Sequence, residues 1–151
     1  MARERFAVAL VMAVACHRDA PPNPEAAPAT TPGVAAKALA EKPFYRVDRG
    51  AQAACVSGAT CEAHVVLTAL AGFHVNKDYP FKFVGDPAAA VTPDGPGAFA
   101  LDGDQHGTLT ITFRPAAPGT ATLMGTFKLS VCSDNNCEIE APKLELAVPV
   151  S

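Results

Sequence analysis

Four cysteines in two closely spaced pairs are the residues of this chain with the clearest capacity for chemistry. Five residues separate Cys55 from Cys61, and four separate Cys132 from Cys137. Two thiols this close along a chain can form a disulfide, either as a staple or as a pair that exchanges with other thiols. A fifth cysteine, Cys16, stands alone, and a lone cysteine calls for a different explanation.

Cys16 ends a segment that has the features of an export signal. Arg3 and Arg5 precede an apolar run at residues 6–15, which is shorter than the roughly 20 residues that a membrane span needs. Residues 13–16 (AVAC) resemble a bacterial lipobox, in which the cysteine takes a diacylglycerol on sulfur and becomes the mature N-terminus. The same Ala-Val-Ala also fits an ordinary signal-peptidase site. We expect a signal peptide at residues 1–15 and lipidation at Cys16, with plain secretion as the alternative.

Export would place the other four cysteines in an oxidising compartment, where disulfides form and persist. We therefore expect a membrane-anchored lipoprotein that faces the periplasm or the cell surface. Four cysteines allow three connectivities, and the spacing does not decide strictly among them. We expect the local pairs Cys55–Cys61 and Cys132–Cys137.

Residues 16–43 are predicted to be a lipid-anchored linker. From residue 17 onward this stretch contains six prolines, eight alanines and no aromatic residue. It has too little apolar side chain to offset the entropy of ordering, and its prolines favour an extended conformation.

Residues 44–151 have the length of one domain. They carry seven Lys and Arg against eleven Asp and Glu, and this acidic balance argues against a nucleic-acid partner, which requires a basic surface. The expected partner is an envelope protein, with contact to the membrane through the lipid on Cys16.

Alternating apolar residues in this domain indicate strands. Residues 107–114 place Leu109, Ile111 and Phe113 on one face and threonines on the other. The same alternation predicts two further sets of inward side chains: Leu123, Phe127, Leu129 and Val131, and then Leu144, Leu146, Val148 and Val150. Weaker strand signals lie at residues 44–49, 62–70, 73–76, 79–84 and 98–101. Six to eight short strands, with turns at residues 102–107 and 115–119, predict an all-β, immunoglobulin-like antiparallel β-sandwich.

The segment between Cys132 and Cys137, Ser-Asp-Asn-Asn, is typical of a tight turn. The two cysteines should then face each other across a hairpin, in the outward register with Met124, Thr126, Lys128 and Ser130. Ile139 would be exposed unless Pro142 marks a bulge. A bridge at such a rim lies near solvent, and exposed disulfides are the more easily reduced.

Residues 120–150, and in particular the strand, cysteine and aspartate of TLMGTFKLSVCSD, resemble the N-terminal periplasmic domain of the thiol–disulfide interchange protein DsbD. The run GFHVNKDYPFKF at residues 72–83 is similar to an aromatic-rich region of those domains. The resemblance implies an immunoglobulin-like fold, with Cys132 and Cys137 as two cysteines on neighbouring strands that pass electrons to periplasmic partners. Here the two cysteines are one residue closer than is usual in that family, and no counterpart of its aromatic cap is visible.

Other candidate sites are weaker. His64, His74 and His106 do not follow a recognised metal-ligand spacing, and the cysteine spacings fit poorly with a zinc knuckle, so no metal and no cofactor is expected. Asp102 and Asp104 are expected to be solvated turn residues. The leading expectation is a non-enzymatic binding or assembly module of the cell envelope. The alternative is thiol–disulfide exchange with Cys132 and Cys137 as the catalytic residues, and the sequence does not assign which of them attacks first.

Overall fold

Residues 37–151, the part of the chain that the computed structural model describes, form strands joined by turns and loops. The signal peptide, Cys16 and most of the linker predicted from the sequence lie outside these residues. No helix among the described residues is long and apolar enough to cross a membrane. In chain order the strands are β1 (Ala40–Lys42), β2 (Tyr45–Arg49), β3 (Cys61–Ala69), β4 (His74–Val75), β5 (Lys82–Gly85), β6 (Ala98–Asp102), β7 (His106–Phe113), β8 (Gly119–Cys132), β9 (Cys137–Glu140) and β10 (Lys143–Val150).

The strands form two antiparallel sheets of five strands each, which confirms the predicted β-sandwich. The first sheet has the order β1-β2-β3-β7-β6. In the second, the long strand β8 is central, with β10 and β9 along one side and β5 and β4 along the other. The number of strands in the described part exceeds the six to eight predicted, because β1, β4 and β9 are only two to four residues long.

The core lies between the two sheets and is built from the side chains that alternate inward. All eleven of the side chains predicted to face in from β7, β8 and β10 are buried. Phe83, Phe113 and Phe127 are among the largest fully buried residues. Strands β7, β8 and β10 therefore each have one apolar face that burial holds in register, since a slip of one residue would turn that face to solvent.

Strand β8 is paired along nearly its whole length by β10 and β9 in one continuous register. Thr126 lies opposite Lys143, and Leu129 lies opposite Glu140. The pairing is interrupted at residues 141–142 without a shift, so Pro142 does not create a bulge. Ile139 is consequently exposed, as the alternation predicts.

Two differences from the predicted boundaries exceed two residues. Strand β1 lies within residues 16–43, which were predicted to be linker, and it pairs with β2 by placing Ala40 opposite Val47. Strand β5 begins at Lys82 and not at Tyr79, because the amide of Tyr79 is bonded to the carbonyl of Asn76 in a turn, 3.1 Å away.

Candidate functional site

The second cysteine pair lies at one end of β8, where the chain turns back into β9. Cys132 is the last residue of β8 and Cys137 the first of β9, and they are directly opposite in the register. They form a disulfide, with their Cα atoms 3.9 Å apart. Cys55 and Cys61 form the other disulfide, so the structure has both local pairs predicted from the spacing.

The hairpin turn between the cysteines is held by hydrogen bonds of its own. The amide of Ser133 donates to the carbonyl of Asn136 at 2.8 Å. The hydroxyl oxygen of Ser133 accepts from the amides of Asn135 and Asn136 at 3.4 and 3.3 Å. Together with the β8–β9 ladder, these bonds close the hairpin without help from the sulfur atoms.

The two cysteines of this bridge differ in exposure. Cys132 is 6% exposed, whereas Cys137 is an exposed residue. Cys132 is flanked on both sides within the sheet, by Cys137 on β9 and by His74 on β4, while Cys137 lies on the outer strand. Cys137 is therefore the member of the pair that an approaching molecule meets first.

Two outward residues of β8, Ser130 and Cys132, are buried, although the alternation predicts that they face solvent. Ser130 shares the face of Cys132 and was predicted to be exposed, but it is fully buried. Asn76 follows β4 and covers it, with its side-chain amide donating to the Ser130 hydroxyl at 3.3 Å. The prediction of exposure was wrong because the covering residue comes from a segment distant in sequence.

A cleft of about 380 Å³ lies at β4, the strand that pairs with the end of β8. It is formed by the end of β4 with the turn that follows, and by the turn between β6 and β7, and its lining includes His74, Asn76 and Asp104. His74 is directly opposite Cys132 and therefore shares its face of the sheet. Sequence reasoning did not connect His74 or Asn76 with the cysteines, because only the pairing of β4 with β8 brings them together.

The Cys55–Cys61 disulfide has a different setting. Both cysteines are 4% exposed and belong to the core. The carbonyl of Cys55 accepts from the amide of Ser151 at 2.9 Å, and the amide of Ser57 donates back to the Ser151 carbonyl at the same distance. Within the core, the disulfide joins this loop to the first residue of β3, as a structural staple does, and the two backbone bonds join the loop to Ser151 after β10.

Two of the three histidines considered as metal ligands lie within hydrogen-bond distance of threonine hydroxyls. His64 Nδ1 is 3.1 Å from the Thr110 hydroxyl, and His106 Nδ1 is 3.3 Å from that of Thr68. Within residues 37–151, no group of three or more His, Cys, Asp or Glu side chains is arranged to hold a metal ion.

Glu140 places a negative charge on the inner side of β9. Its carboxylate bonds to Lys42 of β1, so the ion pair joins the two sheets at this edge of the sandwich. The pKa of the Tyr45 hydroxyl is raised above its ordinary value, mainly by burial and secondly by the negative charge of Glu140.

The aromatic run before β5 contributes to the core and its border. Phe83 is buried, and Phe81 stacks on Phe99 with ring centroids 3.9 Å apart. Packing therefore accounts for both phenylalanines.

Comparison with known proteins returned no match: no protein-family model, no curated protein and no solved structure matches this chain. Function has to be inferred from the residues and from the geometry of the site.

Proposed function

We propose that this chain is an exported cell-envelope protein whose β-sandwich carries out thiol–disulfide exchange with protein partners through Cys132 and Cys137. The observation that carries the proposal is the contrast between the two disulfides. One is enclosed in the core, and the other lies at the end of a hairpin with Cys137 exposed. Accessible disulfides are more often the labile, catalytic ones, and enclosed disulfides are more often structural.

The hairpin supports reversible opening of the bond. The Ser133–Asn136 turn and the β8–β9 pairing hold the two strands together independently of the sulfur atoms. A reduced pair would therefore stay in place as two neighbouring thiols, ready to close again. This geometry meets the basic requirement for an exchange site.

The order of the two steps of exchange follows from the different exposure of the two cysteines. In the reduced protein, the Cys137 thiolate attacks one sulfur of a partner disulfide, forming a mixed disulfide and releasing a partner thiolate. The Cys132 thiolate then attacks Cys137 Sγ, which restores the Cys132–Cys137 bond and releases the second partner thiolate. Two electrons pass to the partner, and a dithiol donor must supply two electrons to reset the site.

Export and anchoring are part of the proposal and rest on the sequence. The signal-like residues 1–15 and the lipobox-like Cys16 would place the domain outside the cytoplasm, at a membrane surface. The resemblance to the DsbD N-terminal domain supports exchange, since the cysteines on the matching positions occupy neighbouring strands of a β-sandwich.

A second candidate is the non-enzymatic binding or assembly module, with both disulfides as staples. The low exposure of Cys132 favours it, because this half of the bridge is nearly as sheltered as the Cys55–Cys61 pair. Under this reading, binding to an envelope partner would survive replacement of both Cys132 and Cys137.

An exchange assay separates the two candidates. The full chain, purified in detergent and reduced under native conditions so that the Cys132–Cys137 bond opens, is mixed with glutathione disulfide, and released glutathione is followed over time. We expect Cys55→Ala/Cys61→Ala to retain the reaction and Cys132→Ala/Cys137→Ala to lose it. If both double variants react alike, exchange through Cys132 and Cys137 is refuted.

A further inference from the structure

Among residues 37–151, strand β9 is paired along one edge only, and the register shows which of its backbone groups lie at the other edge. The amide of Ser133 is bonded to the carbonyl of Asn136. Directly opposite residues in an antiparallel ladder alternate between bonded and non-bonded pairs. Cys132 and Cys137 are thus a non-bonded pair, and the backbone N–H and C=O of Cys137 point away from β8.

The same alternation applies two residues further along. Ser130 and Ile139 are opposite each other and form the next non-bonded pair. An independent contact supports this assignment, since the Ser130 carbonyl accepts from the amide of Asn76, on the β4 side, at 3.1 Å. The N–H and C=O of Ile139 therefore also point outward, and within residues 37–151 no strand other than β8 pairs with β9.

The side chains along this edge combine an apolar contact with negative charge. Ile139 is 68% exposed, the most exposed of the large hydrophobic residues that the structure describes. It lies two residues from Cys137 and shares its face of the sheet. Asp134 in the turn and Glu138 on β9 add two carboxylates. Among the described residues, the one lysine that pairs with a carboxylate of β9 is Lys42, and it pairs with Glu140.

We propose that the edge of β9 is the docking site for the exchange partner, which adds an extended, basic, cysteine-bearing segment as a further strand. This inference rests on the proposed function and names the chemistry of its substrate. Main-chain bonds to Cys137 and Ile139 supply affinity without a fixed sequence, as in other cases of strand addition. The carboxylates favour Lys or Arg in the added segment.

The register of the added strand explains why this edge suits exchange. A partner residue opposite Cys137 would form a bonded pair with it, with Cα atoms about 5.5 Å apart. That Cα spacing lies within the usual range of about 4.4–6.8 Å for a disulfide, and the two side chains of such a pair lie on one face of the sheet, with Cβ atoms about 5.5 Å apart. A disulfide brings the two Cβ atoms to about 3.5–4.5 Å, so a partner cysteine at this position forms the mixed disulfide with Cys137 after a local shift of the added strand.

A proline substitution tests the docking edge. Ile139→Pro removes only an outward N–H and leaves the bonds to β8 intact. Pro149 already occupies an equivalent outward position on β10, opposite Thr120. Glu145→Pro is the matched control, since the Phe127–Pro142 bond and the register make the Glu145 N–H point outward from β10, six residues beyond Ile139 on the same side of β8.

The probes are two mixed disulfides of thionitrobenzoate. In the first, thionitrobenzoate is joined to the central cysteine of a heptapeptide that is rich in Val and Thr and flanked by Lys. In the second, it is joined to glutathione. Reduced full-length chain attacks either probe, closes its own Cys132–Cys137 bond, and releases thionitrobenzoate and the peptide or glutathione thiol. We expect Ile139→Pro to slow reaction with the peptide about tenfold, as loss of a main-chain bond would, and to leave the glutathione probe unaffected. Glu145→Pro should change neither rate.

The outcomes distinguish docking from exchange itself. If the wild-type chain reacts with both probes and Ile139→Pro alters neither rate, or slows both equally, the docking proposal fails while exchange stands. If the wild-type chain reacts with neither probe, the proposed function fails, and the docking proposal fails with it.

Amide exchange gives a second measurement that needs no proline. Cys132→Ser traps the mixed disulfide between Cys137 and the peptide. Hydrogen exchange of the Ile139 amide should then slow at least tenfold relative to the glutathione adduct, while the Glu145 amide stays unchanged. An Ile139 amide that exchanges equally fast in both adducts would overturn the proposal.

Discussion

Removing the two disulfides one at a time should destabilise the domain by different amounts. The perturbations are the matched double variants Cys55→Ala/Cys61→Ala and Cys132→Ala/Cys137→Ala. The two disulfides join cysteines 6 and 5 residues apart. The stability that each gains by restricting the unfolded chain is therefore nearly the same, about 2 kcal/mol. Loop length alone therefore predicts no difference between the variants.

The different burial of the two disulfides should make the losses in stability differ. Cys55 and Cys61 belong to the hydrophobic core, and removal of each sulfur leaves a cavity that costs about 1 kcal/mol. Cys132 lies outside that core cluster, and Cys137 is exposed. We expect a loss of about 4 kcal/mol in the free energy of unfolding for the first variant and about 2 kcal/mol for the second.

Urea unfolding, followed by far-ultraviolet circular dichroism, measures both losses against the oxidised wild-type chain. The slope with denaturant should stay the same, so that the midpoints report stability alone. Equal losses, or a larger loss for Cys132→Ala/Cys137→Ala, would refute the assignment of the first bridge as the core staple.

Two further predictions concern the core around the site. The pKa of Tyr45 is raised above its ordinary value of 10.0, so the unfolded chain loses this proton at a lower pH than the folded chain does. Stability should be unaffected below pH 10 and fall as pH rises past it, and Tyr45→Phe should remove that fall in urea titrations across pH 8–11. Gly125→Ala would put a Cβ 2.5 Å from the carbonyl oxygen of Val84, and we expect a loss of about 1–3 kcal/mol. The exposed control Lys128→Ala should stay within about 0.5 kcal/mol in the same unfolding assay; a Gly125→Ala loss as small as this would contradict the close approach.

The parts of the fold that could be predicted are those where local alternation and burial agree. Strands β7, β8 and β10 each have apolar residues at every second position, and each such face lies in the core. The Cys132–Cys137 hairpin was also predictable, because Asp-Asn-Asn favours a turn and disulfide pairing across it follows from the spacing.

The parts that could not be predicted depend on contacts between distant segments. Residues 40–42, Ala-Glu-Lys, have low strand propensity and become a strand only because β2 offers an edge to pair with. The burial of Ser130 depends on Asn76, and the position of His74 beside Cys132 depends on the pairing of β4 with β8. The unpaired edge of β9 likewise emerges only from the strand order of residues 37–151.

The most direct test of exchange at Cys132–Cys137 is a redox titration of the purified full-length chain in glutathione and dithiothreitol buffers. Alkylation of free thiols and mass spectrometry of the peptides report each bridge separately, and circular dichroism reports the fold. We expect Cys132–Cys137 to open reversibly at a potential above about −300 mV, the upper limit typical of structural disulfides, while Cys55–Cys61 stays closed and the fold is retained. If both bridges stay closed until the domain unfolds, both are staples and the proposed exchange is wrong.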